Sequence, residues 1–464
     1  MMTRCYNPGN KHFKDYGGRG IVVCQEWHDV AKFIAWCEAQ PFEEGRNMRS
    51  NIWVEHNGER LIFKDFVIKY GVGAPEIAPE TTKEIWVGPK GCGPHAAGAS
   101  IRKMELQMKR AIAVIGAAFG DEGKGIFTDY FCRKAGEEPW CVRFNGGAQA
   151  GHTVVTPDGD RHVFHHFGAG TLAGARTYLS RHFLVNPAMW IEEYRELQGR
   201  GLRTRLFVDR EAPLTTVWDM MHNQNVEAAA GADRHGSCGM GIHATMLRQQ
   251  RPEMRLFAGD LERPGYLHQR IESIQAAHGS ASAAIRNRFI IDCEAMASQI
   301  NLCDSRVLVD RPADIIFEGA QGLLLDQDSE FYPHVTHSKT GLTNVLQIAR
   351  ETGINQIDAV YVHRSYLTRH GAGPLPGEDS NLSYHDDTNV ENEWQGPLRF
   401  APLNPRLISD AVFADYAMMR EDTDTNVTPL MAVTHCDQQP WLGAGAHFAS
   451  HGSTHRDVYD LRRR

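Results

Sequence analysis

One stretch constrains the chain more than any other: Val114-Ile115-Gly116-Ala117-Ala118-Phe119-Gly120-Asp121-Glu122-Gly123-Lys124-Gly125. Ala111 to Ile115 is uniformly apolar, the pattern of a strand buried on both faces, and Phe127 to Cys132 suits a helix behind the glycines. Strand, glycine-rich turn and helix in that order gather backbone N–H groups, a helix N-terminus and Lys124 around an anion, so the expected ligand is a phosphate. The pattern departs from a regular Walker A, because Ala118 replaces the first glycine of G-x-x-x-x-G-K and Gly125, not Ser or Thr, follows the lysine. An ordinary glycine-rich turn is the bland alternative, and the rest of the chain decides between them.

At 464 residues the chain is long enough for two or three domains, and 42% apolar with 23% charged residues is a globular composition. A net charge of -8 argues against a protein that coats nucleic acid over its whole surface, although it leaves room for a local basic patch. No apolar run approaches a membrane span and the N-terminus is polar, so the expectation is a soluble, cytoplasmic protein with no membrane partner. The ten cysteines are scattered without CxxC pairs and read as reduced, buried small hydrophobes rather than a disulfide or zinc framework.

Residues 1 to about 75 differ from the rest. Arg4-Cys5-Tyr6-Asn7-Pro8, Lys11, Lys14 and Tyr16-Gly17-Gly18-Arg19-Gly20 mix basic, aromatic and glycine residues ahead of a short expected strand, Ile21 to Cys24, and a helix from Trp27 to Ala39. Such a mix suits contact with a phosphate backbone. Arg4 to Trp27 resembles a small module common in bacteriophage proteins, related to HNH-endonuclease and AP2-type DNA-binding domains. No metal-binding His-Asn-His continuation follows, so the resemblance implies DNA contact and not cleavage. Asn57-Gly58-Glu59 suits a hairpin turn, with Leu61 to Tyr70 as a short helix behind it. A solvated extension without a partner is the competing reading. Residues 76–109, rich in Pro, Gly and Ala around Gly88-Pro89-Lys90-Gly91-Cys92-Gly93-Pro94, read as a linker, and residues 110–464 as the second domain.

That domain carries four further stretches with chemistry in them. Arg143-Phe144-Asn145-Gly146-Gly147-Ala148-Gln149-Ala150-Gly151-His152-Thr153 ends in a histidine able to donate a proton to a developing oxyanion. Gly236-Ser237-Cys238-Gly239-Met240-Gly241-Ile242 is a second glycine loop, with Arg248 one or two turns beyond it. Ile315-Ile316-Phe317-Glu318-Gly319-Ala320-Gln321-Gly322 is a buried strand and turn leading to Tyr332-Pro333-His334-Val335-Thr336. Ala432-Val433-Thr434-His435-Cys436-Asp437 is a strand ending in a carboxylate, suited to the N1 and 2-amino donors of guanine. Adenine offers no donor at those places, so this carboxylate predicts GTP over ATP. A cap on the turn at Gln438-Gln439-Pro440 is the simpler role for Asp437.

In this order, and together with Thr368-Arg369-His370-Gly371-Ala372-Gly373-Pro374-Leu375-Pro376, these stretches resemble the adenylosuccinate synthetase family from about Ala111 to the C-terminus. The resemblance implies an α/β domain on a large, mostly parallel sheet, distantly like the P-loop NTPases, behind a small α+β N-terminal module, and a homodimer. It implies a two-step ligation: a nucleoside triphosphate phosphorylates O6 of a 6-oxopurine nucleoside monophosphate, and the L-aspartate amine then displaces that phosphate. On the resemblance, Asp121 is the base for the purine N1 proton and a Mg²⁺ ligand with the Gly151 carbonyl, and His152 is the acid near the phosphoryl oxygens. Gly120, Glu122, Gly123, Lys124 and Gly125 would hold the donor phosphates, and His435 and Asp437 the donor base. Gln149, Ser237, Cys238, Thr336 and Arg248, the last reaching from the other subunit, would meet the acceptor's phosphate, while Gln321 holds its base. Arg399, with Arg406 as a rival, would take a carboxylate of L-aspartate from the loop Asn392 to Phe400.

Gln149 stands where the family usually has Asn and Cys238 where it usually has Thr, so the phosphate pocket is reshaped. A phage branch of the family accepts dGMP in place of IMP and makes N6-succino-2-amino-2'-deoxyadenylate, the precursor of diaminopurine DNA. The phage-like module favours that branch; Asp121, where many of its members carry a small residue, favours IMP. A P-loop kinase or GTPase fits less well because no Ser or Thr follows Lys124 to hold magnesium. A nucleotide-sensing DNA-binding protein would not need Asp121 and His152 together.

Overall fold

The structure, a computed structural model, describes residues 53–56, 59–62 and 110–463, apart from 232–235, 280, 311–312, 387, 390–395, 418–424 and 441–444. The chain divides into two units, Met1–Arg102 and Lys103–Arg464. In the first, β1 (Trp53–His56) and β2 (Glu59–Ile62) pair antiparallel with His56 opposite Glu59, which agrees with a hairpin about Asn57-Gly58. Leu61 and Ile62 are strand, not the start of a helix, because they pair with Val54 and Trp53. The other expectations for residues 1–75 and 76–109 lie outside the described residues.

The second unit opens on β3 (Arg110–Gly116), followed by α1 (Lys124–Lys134), β4 (Trp140–Arg143), and the hairpin β5 (His152–Val155) and β6 (Arg161–Phe164). Next come β7 (Arg176–Leu179), α2 (Pro187–Gly199), β8 (Leu206–Asp209), α3 (Val217–Ala230) and α4 (Ile242–Gln249). Helices α5 (Pro264–His278) and α6 (Ala283–Ala297) precede β9 (Asn301–Cys303) and β10 (Ile315–Glu318). The remainder is α7 (Leu342–Thr352), β11 (Gln356–Arg364), β12 (Tyr366–Arg369), β13 (Arg399–Pro402), α8 (Pro405–Ala417), β14 (Asn426–Thr434), β15 (Phe448–Ser450) and β16 (Val458–Asp460).

Among the described residues ten strands form one sheet in the order β16-β15-β14-β11-β3-β10-β4-β7-β8-β9, parallel throughout except for β16. The expected mostly parallel α/β sheet is therefore present. Side chains alternate across β3. Ala111, Ala113 and Ile115 pack into a core with Leu342, Val345 and Ile348 of α7 and Ile408 of α8, while Ile112 and Val114 pack on the other face with Phe127 and Phe131 of α1. Both faces are covered, which is why the strand reads as an unbroken apolar run instead of an alternating one. A second core, built around Trp190 of α2, Trp218 of α3, Ile271 of α5 and Phe289 of α6, fills the side of the sheet toward β8 and β9. Helix starts follow local chemistry: Asn186 caps α2, which opens on a proline, and Thr216 and Asp219 form a reciprocal capping box at α3.

Candidate active site

Strands β14, β11, β3, β10 and β4 are adjacent and parallel, so their carboxyl ends, at Thr434, Arg364, Gly116, Glu318 and Arg143, lie along one edge. The loops that carry Asp121, His152, Gln321 and His435 each follow a strand that ends at that edge. It is where open α/β sheets bind ligands. Asp121, Gln321 and His435 all have positive φ, of 59°, 55° and 58°, and Glu138 is the one other such non-glycine among the described residues. Backbone strain is thus concentrated at the site.

The phosphate loop is held from beneath by Glu122. Its carboxylate accepts hydrogen bonds from the amides of Ala118 (3.0 Å) and Gly120 (2.9 Å) and pairs with Lys124 Nζ at 2.5 Å. The slot it fills is made by glycines: a Cβ on Gly116 or Gly322 would stand 2.5 or 2.4 Å from the Glu122 carboxylate oxygens. This corrects the expectation that Glu122 meets donor phosphate. A carboxylate 1% exposed with its oxygens committed shapes the loop, and an anion beside it would be repelled. Gly123, with φ 84°, precedes α1 and lies under Thr434, whose hydroxyl donates to the Glu122 carbonyl at 2.7 Å. That bond ties the carboxyl end of β14, just before His435, to the phosphate loop. The turn after β14 is closed by the His435 carbonyl, which accepts from the amides of Gln438 and Gln439, so the cap assigned to Asp437 is made by backbone. Asp437 is exposed, and burial pushes the His435 imidazole down to about 3.

The first turn of α1 packs against the start of β5: a Cβ on Gly125 would lie 2.7 Å from the Thr153 carbonyl oxygen and 3.4 Å from His152 Cβ. His152 Nδ1 is 2.6 Å from Glu318 Oε1, and both side chains are buried. Burial and the nearby Arg143 push the imidazole down to about 4 against the pull of Glu318. Although burial works against it, His152 and Arg143 hold the Glu318 carboxyl down to about 2. Ala169 N–H and the Cys141 thiol donate to the same carboxylate, at 3.1 and 3.3 Å. An ionised Glu318 and a neutral His152 fix the tautomer with Nδ1–H on Glu318, leaving Nε2 as the working nitrogen. Burial also raises the Asp121 carboxyl, opposed by His370, Arg364 and Lys124. Sequence reading missed Glu318; the signal was a single carboxylate closing an otherwise apolar strand.

The loops expected at the acceptor nucleotide also converge. Around Gly146, a Cβ would lie 3.2 Å from Gln321 Oε1 and 3.7 Å from Gln149 Nε2. The Oε1 atoms of both glutamines are buried without a hydrogen-bond partner among the described residues. Gly147 abuts Ile242 at the start of α4, and Gly236 abuts Gly371. The Ser237 hydroxyl accepts from Asn223 at 2.9 Å, burial raises the Cys238 thiol, and Thr336 is half-buried, its amide donating to the Leu325 carbonyl. The loop Arg369 to Pro374 is pinned by Arg369, which donates to the carbonyls of Pro374 and His334, and by Arg399, which donates to those of Gly371 and Gly373.

Three arginines depart from expectation. Arg248 is 1% exposed: its guanidinium pairs with Asp219 at 2.9 Å and donates to the carbonyls of Met254 and Leu214. A side chain so committed within its own subunit is not offered across a subunit boundary. Arg399 is engaged by Glu378 at 2.7 Å besides the loop carbonyls, so it orders the loop. Arg406 faces solvent on α8, 3.6 Å from Asp410 one turn on. Arg248→Ala is expected to cost about 3–5 kcal/mol of stability, because it strands the buried Asp219 charge. Chemical unfolding checks this; unchanged stability with a raised KM for nucleotide would restore Arg248 to the ligand site.

A phosphate loop, an oriented histidine and a carboxylate at the carboxyl edge of a parallel sheet define a nucleotide-using α/β enzyme. Residues 113–395 match the family model described as adenylosuccinate synthetase, and the chain belongs to that family, whose members are carbon–nitrogen ligases. It is 30% identical to the adenylosuccinate synthetase of Mycobacterium leprae (strain TN) over 299 residues, covering 61% of this chain and 68% of the relative. Identity to the Mycolicibacterium vanbaalenii protein is 31% over the same coverage. The fold is similar to fully ligated adenylosuccinate synthetase from Plasmodium falciparum, at TM-score 0.56 and 20% identity over 70% of this chain and 77% of that one. It is also similar to the cyanophage S-2L succinoaminodeoxyadenylate synthetase bound to dGMP, with dATP as energy donor, at TM-score 0.55 and 19% identity over 76% and 96%. No helix among the described residues is long and apolar enough to cross a membrane.

Proposed function

We propose that this ligase joins L-aspartate to C6 of dGMP, driven by GTP, and so makes N6-succino-2-amino-2'-deoxyadenylate. The observation that carries the choice of acceptor is the buried, unpartnered oxygen of Gln321, the residue expected at the acceptor's base. With N1–H directed to Asp121, the 2-amino group of guanine supplies a donor that such an acceptor needs, whereas hypoxanthine presents only C2–H there. The cyanophage protein similar in fold holds dGMP. IMP is the second reading, favoured by the activity named for the mycobacterial relatives.

Asp121 takes the N1 proton while O6 attacks the γ-phosphorus and the bond to the leaving nucleoside diphosphate breaks. His152, oriented by Glu318, is protonated at Nε2 as the phosphoryl oxygens arrive and then donates that N–H to them. The aspartate amine then adds at C6, the C6–O6 bond breaks, phosphate leaves and the nitrogen gives up its proton. Asp121 and the Gly151 carbonyl are hard oxygen donors just ahead of the contact between Gly125 and β5, a set that fits a Mg²⁺ ion drawing its other ligands from phosphate and water. When bound, the ion neutralises charge on the transferred phosphoryl group. Among the described residues no group of three or more His, Cys, Asp or Glu forms a closed metal cage.

GTP as donor rests on the exposed Asp437 carboxylate in the turn after β14. Purified protein with Mg²⁺, L-aspartate and GTP or ATP, offered IMP, GMP, dIMP and dGMP in parallel, is expected to give the dGMP product by mass, with GTP preferred. Product from IMP alone would overturn the acceptor. Asp437→Asn is expected to weaken GTP use roughly a hundredfold, with little change in KM for L-aspartate. Equal use of GTP and ATP by the unmodified protein would remove Asp437 from donor recognition.

A further inference from the structure

Three loops of the candidate site are tied to one short turn. Asp386 opens it, accepting from the amides of Thr388 (3.0 Å) and Asn389 (2.9 Å) and from Asn389 Nδ2 (2.9 Å). The same carboxylate accepts from Arg364 at 2.7 Å. Arg364 closes β11 with its side chain 4% exposed, and it also donates to the Asp121 carbonyl (2.5 Å) and to Tyr366 Oη (3.0 Å). Thr388 reaches the second catalytic loop: its hydroxyl accepts from Arg161 at 2.9 Å and shares a 3.1 Å hydrogen bond with the hydroxyl of Thr153, the neighbour of His152. Gln438, next to Asp437, donates to the His385 carbonyl just ahead of the turn (2.9 Å). Tyr384 seats the segment by stacking on Tyr366, 3.7 Å between ring centroids and 9° from parallel. Although burial works against it, Arg364 and Asn389 hold the Asp386 carboxyl well below its usual range, so its clasp on Arg364 is an ion pair at neutral pH.

N1 and O6 of a 6-oxopurine are both bonded to C6, so a base at N1 and an acid at the oxygens on O6 act together only when held at one separation. Asp121 and His152 stand on different loops, and nothing local to either loop sets that separation. Asp121 also keeps φ 59°, which a non-glycine holds only where its surroundings over-determine it. The Arg364 guanidinium on its carbonyl is one such determinant, and Asp386 aims that guanidinium. We infer that Asp386 and Thr388 are positioning residues, which fix the Asp121 loop, through Arg364, and the His152 hairpin, through Thr153, at the separation the chemistry needs. The inference rests on the acid and base roles proposed above and adds two residues that act through others.

Three variants of the full chain test this: Thr388→Val removes the hydroxyl at nearly constant volume, Thr388→Ser keeps it, and Asp386→Asn keeps the shape without the charge. Turnover is measured with Mg²⁺, L-aspartate, GTP and whichever of dGMP and IMP the unmodified protein accepts. In Thr388→Val and Asp386→Asn kcat is expected to fall about ten- to a hundredfold, with KM for the nucleotides within about twofold and Thr388→Ser close to the unmodified protein. Hydrogen–deuterium exchange without ligand reads the coupling apart from turnover. Asp386→Asn is expected to speed exchange at residues 151–155, and Thr388→Val at residues 119–123, while β3 and α7 keep their protection and report an intact fold. A side chain that only stiffens its own surroundings would move only the loop it contacts. Exchange confined in that way, unchanged kcat in Thr388→Val and Asp386→Asn, or an equal loss in Thr388→Ser and Thr388→Val would each overturn the positioning role. Exchange that spreads to both loops, in a protein without aspartate-dependent turnover, supports the clasp and removes the ligase reading alone.

Discussion

Exchange of Asp121 for Asn is expected to lower kcat by about 10³, the scale of a lost general base, without unfolding the protein. Asp121 sits with φ 59° in the loop between β3 and α1, its carboxylate partly exposed and 3.9 Å from His370 Nε2. Packing demands no charge there. Burial raises its carboxyl, and His370, Arg364 and Lys124 pull it back down. Asn tolerates the left-handed conformation, so the substitution isolates the charge. Product formation and an unfolding curve on the same preparation check it. Turnover within a few-fold of the unmodified protein would take Asp121 out of the chemistry.

His152→Asn is expected to cost as much in kcat, about 10²–10⁴, with Glu318→Gln following it in the same direction. The imidazole is held near 4 in the protein without ligand, so it is neutral at pH 7 and charges only when phosphoryl oxygens arrive at Nε2. Glu318 orients it: with Gln the carboxylate that holds Nδ1–H is gone and the other tautomer becomes available. The linkage has a sign. His152 titrates lower folded than unfolded, so stability is lost as pH falls from about 6.5 toward 4. Glu318, held near 2, contributes stability above its unfolded value of 4.5 that is lost as pH falls toward 2. Glu318→Gln should therefore flatten the acid side of a stability–pH curve below about 4.5. A Glu318→Gln protein with normal kcat would show that His152 needs no orienting partner.

While the parallel sheet was implied by the family resemblance, sequence by itself determined the strand, loop and helix around Lys124 and the loops that carry Asp121, His152, Gln321 and Asp437. Those features are local. An apolar run marks a strand covered on both faces, and glycines mark turns whose backbone must approach a ligand. What only the tertiary structure decided depends on residues distant in the chain. Glu318 became the partner of His152 because β10 lies beside β4, a pairing that no spacing in the sequence announces. Arg248 moved from the ligand site to the interior because α3 brings Asp219 against it, 29 residues away, and a buried carboxylate claims the nearest guanidinium. Glu122, read as one more polar residue of a phosphate loop, turned inward because Gly116 and Gly322 leave a slot only a side chain from that loop can fill. Residue type shows what a side chain is able to do, and its role is settled by which charges and carbonyls the fold places within hydrogen-bonding distance.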